Sequence, residues 1–188
     1  MTAFYKTKPL RPGGFVYFAG ISHYYLKKSR FCGKINAYVQ EGGRRVIREV
    51  RMDEYEQLMG LYLHLHETSV PAAELTRPLW ERLVNDPDYH LIAAEEDGKL
   101  VSTITCVIVP NLTHGPRPYA WVENVVTHPD YRGRGLATAC LEYAKEIAQR
   151  ENCYRLILMT GSKLESTLEF YERAGYDRTE KTGFIQYL

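Results

Sequence analysis

Between Val122 and Ala144 the chain reads VENVVTHPDYRGRGLATACLEYA: a β-branched apolar run, a His-Pro-Asp turn, a glycine-rich knot and an amphipathic helix in direct succession. A strand that passes through so short a turn into a helix leaves the first N–H groups of that helix without partners inside it. The helix dipole adds about half a positive charge at the same point. Gly133 and Gly135 let the backbone approach an anion and adopt positive φ, while Leu136, Cys140, Leu141, Ala144, Ile147 and Ala148 give the helix one apolar face. On local pattern alone the knot reads either as a phosphate cradle or as a glycine-eased turn capped by exposed arginines. Two better-known phosphate motifs fail. The dinucleotide fingerprint needs a third glycine where Thr138 stands, and the Gly-Lys-Ser/Thr ending of a P-loop is absent.

The elements around the knot set the fold class. RRVIREV alternates as a strand. Asp53 then opens EYEQLMGLYLHLHE, in which Leu58, Leu61, Tyr62 and Leu65 recur at helical spacing. AAELTRPLWERLVN reads as a second helix, bent or started at Pro78. Asp97-Gly98 between two apolar runs signals a hairpin, and the polar loop PNLTHGPRP separates it from the strand YAWVENVVT. After the knot come a helix to about Arg150, the apolar run RLILMT as a buried strand, the helix LESTLEFYERAG closed by Gly175, and GFIQYL as a last strand. The strand before the knot and the one after its helix must be parallel, because the helix carries the chain back. The expectation is one α+β domain.

With 188 residues the chain suffices for one core, and the expected division is an extension over 1–43, aromatic but aperiodic, and a regular domain over 44–188. A net charge of +1 offers no basic excess for a phosphate backbone, so nucleic acid is not an expected partner. No run approaches the roughly 20 apolar residues of a membrane span, and none of the four cysteines form a CxxC pair, which fits the cytoplasm and no membrane partner. His64 and His66 stand two apart on a helix, where they face different ways, so no metal site is expected.

VENVVTHPDYRGRGLA resembles the acyl-CoA-binding motif of the GNAT superfamily of N-acetyltransferases: Arg132, Gly135 and Ala137 occupy its fixed positions. LEFYERAGY, with Phe170, Tyr171, Gly175 and Tyr176, is similar to the segment that follows in that superfamily. The likeness covers about 44–188, and departs at Leu164, where many members carry Asn. It implies a mostly antiparallel sheet with a central splayed parallel pair flanked by helices. It also implies acetyl-CoA as cosubstrate and no metal, with the thioester arm on the backbone of Val125, Val126 and Thr127 and the pyrophosphate on the amides of Arg132, Gly133, Arg134, Gly135, Leu136 and Ala137.

Acetyl transfer to an amine needs a base and an acid. Glu123 is the candidate base, because a carboxylate inside an apolar strand is expensive unless it faces a cleft or is paired; the alternative is a solvated edge carboxylate. Tyr171 is the candidate acid, since the motif tyrosine points at the cofactor sulfur and a phenol of pKa about 10 can protonate a thiolate; the alternative is ring packing. His128 reads as a turn residue, Tyr62, Trp80 and Trp121 as core, and His114 and Arg117 as contacts for an acidic group on the acceptor. A small-molecule amine is the expected acceptor, with a protein amine and a non-catalytic acyl-CoA-binding module as the other readings. Homodimerisation through the extension or the last strand is compatible with the pattern.

Overall fold

The computed structural model describes residues 38–39, 45–65 and 71–188. The extension assigned to 1–43, apart from Tyr38–Val39, and His66 lie outside the described residues.

Six strands form one sheet in chain order: β1 (Tyr38–Val39), β2 (Arg45–Glu49), β3 (Tyr89–Glu96), β4 (Lys99–Val109), β5 (Tyr119–Thr127) and β6 (Leu156–Leu158). Neighbours are antiparallel except β5 and β6, which run parallel through Ala120↔Leu156, Trp121↔Ile157 and Val122↔Leu158. The hairpin at Asp97-Gly98 forms as expected, both residues taking positive φ, 49° and 79°. Helices α1 (Tyr55–Tyr62) and α2 (Ala73–Asn85) cover one face, and α3 (Leu136–Arg150) covers the other; α4 (Glu165–Arg173) follows β6. The fold is therefore the mixed, mostly antiparallel α+β architecture read from the sequence. No described helix is long and apolar enough to cross a membrane.

Each face has its own core. Ile47, Ile92, Ile104, Cys106 and Val122 pack under Leu136, Cys140, Ala144 and Ile147 of α3. Val50, Leu91, Ala93, Leu100 and Val126 pack against Tyr55, Leu58, Leu61 and Trp80 from the α1 and α2 side. Val122 and Val126 belong to different cores although four residues apart in one strand, where simple alternation would put them on one face. A bulge explains it: Thr105 faces Glu123 and Thr103 faces Val126, so one residue of β4 opposes Asn124 and Val125, and Asn124 takes φ 53°.

Four expectations change. Helix α1 is entered through a 3-10 turn, Met52–Glu54, fixed by the Arg51 N–H on Glu54 Oε2 at 2.6 Å, rather than opened by Asp53. Helix α2 runs unbroken through Pro78, which is exposed and removes only one helical bond. Buried Trp80, whose Nε1–H donates to the Met52 carbonyl at 3.0 Å, anchors that segment. The run RLILMT yields only Leu156–Leu158, half-buried rather than buried, because β6 ends the described sheet and has one strand neighbour. GFIQYL forms no strand: apolar residues at 184, 185, 187 and 188 define no single face to bury, and Phe184 and Tyr187 are each 91% exposed.

Candidate active site

The knot keeps most of its donors free, with one correction to the expected set: the Arg132 N–H donates to Pro129 O at 3.2 Å, closing the turn before the knot, and is not open to an anion. His128 donates its N–H to Val101 O at 2.9 Å and caps a 3-10 turn, Pro129–Tyr131, by accepting the Asp130 N–H on Nδ1 at 3.3 Å. It is thus a turn residue, as read. Gly133 and Gly135 take φ of 73° and 75°, and a Cβ at either would meet nothing within 4 Å. Gly135 is the N-cap of α3, no side chain caps that helix, and its first turn carries no acid. The first bond across the turn is Ala139 N–H to Gly135 O at 3.0 Å, so the N–H groups of Leu136, Ala137 and Thr138 have no acceptor in the helix. Buried Leu136 pins this end while Arg132 to Gly135 stay exposed. Open backbone donors, a helix dipole and an unobstructed approach fit a pyrophosphate.

The arginine side chains brace the turn. Arg134 donates to Asp130 O at 2.8 Å, pairs with Glu96 Oε2 at 3.4 Å and lies over the Tyr131 ring at 4.8 Å. Glu96 also holds Arg45 at 2.6 Å, and Arg45 donates to the Arg134 carbonyl at 3.1 Å. Two distant strands, β2 and β3, thereby fix the knot's position.

Pairing between β5 and β6 stops at Val122, so the strand continues past its parallel neighbour and opens a cleft. His128 bonds β4, and alternation turns the Val126 N–H and C=O to β4 as well, where Ser102 Oγ also donates to Val126 O at 3.1 Å. Val125 and Thr127 therefore present their backbone groups to the cleft. Arg132 Nε occupies the Thr127 carbonyl at 3.2 Å. Of the three residues named for the thioester arm, Val126 is turned away from it.

Glu123 is exposed and accepts a hydrogen bond from Trp121 Nε1–H, its partner on the same face of β5. Tyr171 lies on α4, half-buried and tilted against Phe170 with ring centroids 4.9 Å apart. Burial pushes its phenol above the usual tyrosine range, and the charge of Glu123 pushes it further. The same two causes, in the same order, raise Tyr89 on β3. Glu123 thus stands within electrostatic reach of one tyrosine from α4 and one from β3.

Beside Glu123, Asn124 reaches Thr105 Oγ1 at 3.4 Å and lines a cavity of about 340 Å³ between α1, α2 and β3. Tyr62 enters the same group: burial raises its phenol, opposed by hydrogen bonds with Thr105 and Asn124. Sequence reading placed Tyr62 with the core and passed over Asn124, Thr105 and Tyr89. The available signal was Asn in an apolar strand, a residue type that tolerates the left-handed region.

Other candidates fall elsewhere. Arg117 donates to the Asn152 and Cys153 carbonyls, each at 3.0 Å, and His114 stacks on Tyr154 at 4.1 Å. Both sit at the C-terminal end of α3, a helix of 15 residues and so about 22 Å long, at the opposite end from the knot. His64 meets His128 edge-on, ring centroids 4.9 Å apart. Leu164 is the N-cap of α4 and 68% exposed; its carbonyl accepts from Thr167 and Leu168, but its side chain supplies no cap hydrogen bond. Among the described residues no cluster of His, Cys, Asp and Glu could hold a metal.

This geometry has counterparts. The sequence pattern of the Acetyltransferase (GNAT) family matches residues 37–176, and the chain belongs to that family of acetyltransferases, enzymes that use acetyl-CoA. It is similar to the glucosamine 6-phosphate N-acetyltransferase of Trypanosoma brucei brucei, 30% identical over 138 residues that make up 73% of this chain and 90% of the relative. A solved putative acetyltransferase from Agrobacterium tumefaciens superposes with TM-score 0.71 at 34% identity, over 76% of this chain and 99% of that one. The glucosamine-6-phosphate N-acetyltransferase of Arabidopsis thaliana shares the fold, with TM-score 0.68 at 20% identity over 76% of this chain and 97% of its own.

Proposed function

We propose that the chain transfers the acetyl group of acetyl-CoA to a primary amine of a small molecule by direct attack in a ternary complex. The observation that carries this reading is the composition of β5: Asn124 lines a cavity with Glu123 next to it in the strand, and Val125 and Thr127 face the cleft that leads to the open end of α3. Acceptor and donor groups thus meet on one strand.

Acetyl-CoA, when bound, supplies the activated acyl group as a thioester. The amides of Gly133 to Ala137 would hold its pyrophosphate. The Val125 and Thr127 N–H groups, fixed in advance, would donate to the oxygen on which charge builds. Glu123 accepts the proton of the amine as the C–N bond forms. Tyr171, kept protonated by burial and by Glu123, gives its proton to the sulfur as the C–S bond breaks. Val126 holds β5 to β4 rather than binding the arm. Catalysis is assigned to 44–188, with 1–43 as an extension.

The relative at 30% identity is named a glucosamine 6-phosphate N-acetyltransferase, which supports the small-molecule reading over a protein acceptor or a silent binding module. Thiol release from acetyl-CoA with a panel of amines tests it. Tyr171→Phe should lower kcat by about 10- to 1000-fold with the acetyl-CoA Kd unchanged, and Glu123→Gln should slow turnover most at low pH, where the amine is protonated. An unchanged kcat in Tyr171→Phe would remove that residue from the chemistry.

A further inference from the structure

We propose that the acceptor is an amine on an uncharged apolar body, such as an arylalkylamine, rather than a phosphorylated amino sugar. This rests on reading the space beside Glu123 as the amine site. The cavity is walled by Leu58, Leu83 and Leu91, with Tyr62, Tyr89 and Asn124 on the side of the catalytic strand. No described lining side chain carries a charge.

A phosphate taken into this space would lose its water without gaining a cation from the described lining, which is among the costliest burials a protein can make. Nor are its polar atoms waiting for an anion. Tyr55 shares a hydrogen bond with Thr76, Asn124 donates to Thr105, and Trp80 donates to Met52 O. Arg77 lies on the ring of the lining residue Tyr55 at 4.4 Å, but it does not itself line the cavity and its charge is paired with Glu56. Glu123 adjoins the lining residue Asn124 in β5 and brings a negative charge to that end of the cavity. Glu123 raises Tyr89, a lining residue, and so attracts an ammonium to the catalytic end while the rest of the molecule fills the apolar part. A volume of about 340 Å³ is near the lower end of small-molecule sites, enough for one ring and a short chain and too small for an oligosaccharide.

The experiment uses the full chain with 2-phenylethylamine, hexylamine and glucosamine 6-phosphate, read by calorimetry and by thiol release. The expected kcat/KM for 2-phenylethylamine exceeds that for glucosamine 6-phosphate by roughly 100-fold. Leu79→Lys, at a lining position already 43% exposed, should weaken 2-phenylethylamine about tenfold, or 1.4 kcal/mol, and leave the acetyl-CoA Kd unchanged. If 2-phenylethylamine binds, responds to Leu79→Lys and yet releases no thiol, the cavity assignment stands and the catalytic reading falls. Glucosamine 6-phosphate bound or turned over as well as the aryl amine would overturn the inference. So would no binding of either apolar amine, or binding indifferent to Leu79→Lys.

Discussion

Gly135 allows folding and donor binding to be perturbed separately. Its φ of 75° costs an L-residue about 1–2 kcal/mol, and no clash adds to this because a Cβ there meets nothing within 4 Å. The entropy lost from the unfolded chain returns about 0.4–1 kcal/mol, so Gly135→Ala should destabilise by about 1 kcal/mol. In a domain of this size that lowers Tm by about 2–4 °C. Gly135→Asp carries similar strain, but its carboxylate faces the positive end of α3 and regains about 0.3–1 kcal/mol. Without ligand the Asp variant should therefore melt no lower than the Ala variant. With acetyl-CoA the order reverses. A carboxylate about 4 Å from a phosphate is repelled by about 1 kcal/mol in a water-like medium and about 4 kcal/mol near a protein surface, which raises Kd by about 5- to 1000-fold. Melting curves with and without acetyl-CoA, beside calorimetry at two salt concentrations, read both effects. An Asp variant that binds acetyl-CoA as tightly as the Ala variant would refute the placement of the pyrophosphate on this helix end, and an unchanged Tm in Gly135→Ala would refute the strain.

Glu96→Gln should loosen both Arg45 and Arg134 and raise the acetyl-CoA Kd about 3- to 10-fold, measured by calorimetry, with kcat unaltered at saturation. Burial pushes the thiols of Cys106 and Cys140 up to about 12, so the folded chain keeps protons that the unfolded chain has lost. Their stabilisation is intact below about pH 9 and falls by about 1.4 kcal/mol per pH unit per thiol as pH rises toward 12; Cys140→Ala should flatten that decline in denaturant titrations. A chain beginning at residue 44 should keep its acetyl-CoA affinity, though loss of Tyr38–Val39 uncovers the β2 edge and should lower Tm.

What could be read without coordinates was what depends on neighbours in sequence. The turn from β5 into α3 needs glycine where φ is positive and an apolar stripe behind it, and both are written within a few residues. The bulge is different in kind. Asn124 is conspicuous, but that it takes φ 53° and moves Val126 to the other core depends on the register of β4. The cavity depends on packing α1 and α2 on β3, which no local pattern specifies. GFIQYL illustrates the opposite error: strong β-propensity described its residues correctly but could not provide a partner strand. The position of Arg117 and His114 was hidden for a related reason, since the loop that carries them is held at the far end of α3 by carbonyls remote in sequence.

The extra residue in β5 also bears on how such an enzyme can change over evolutionary time. Upstream of Asn124 the strand answers to the layer under α3, and at Val126 it answers to the layer under α1 and α2. Substitutions at Leu79, Leu83 or Met59 can reshape the cavity proposed for the acceptor without altering a contact of the helix that would hold the donor. Deleting one residue from the strand would remove that independence, because every side chain beyond it would exchange faces. Diversification of the accepted amine should therefore proceed by replacement in α1 and α2, while the length of β5 between Glu123 and Thr127 stays fixed.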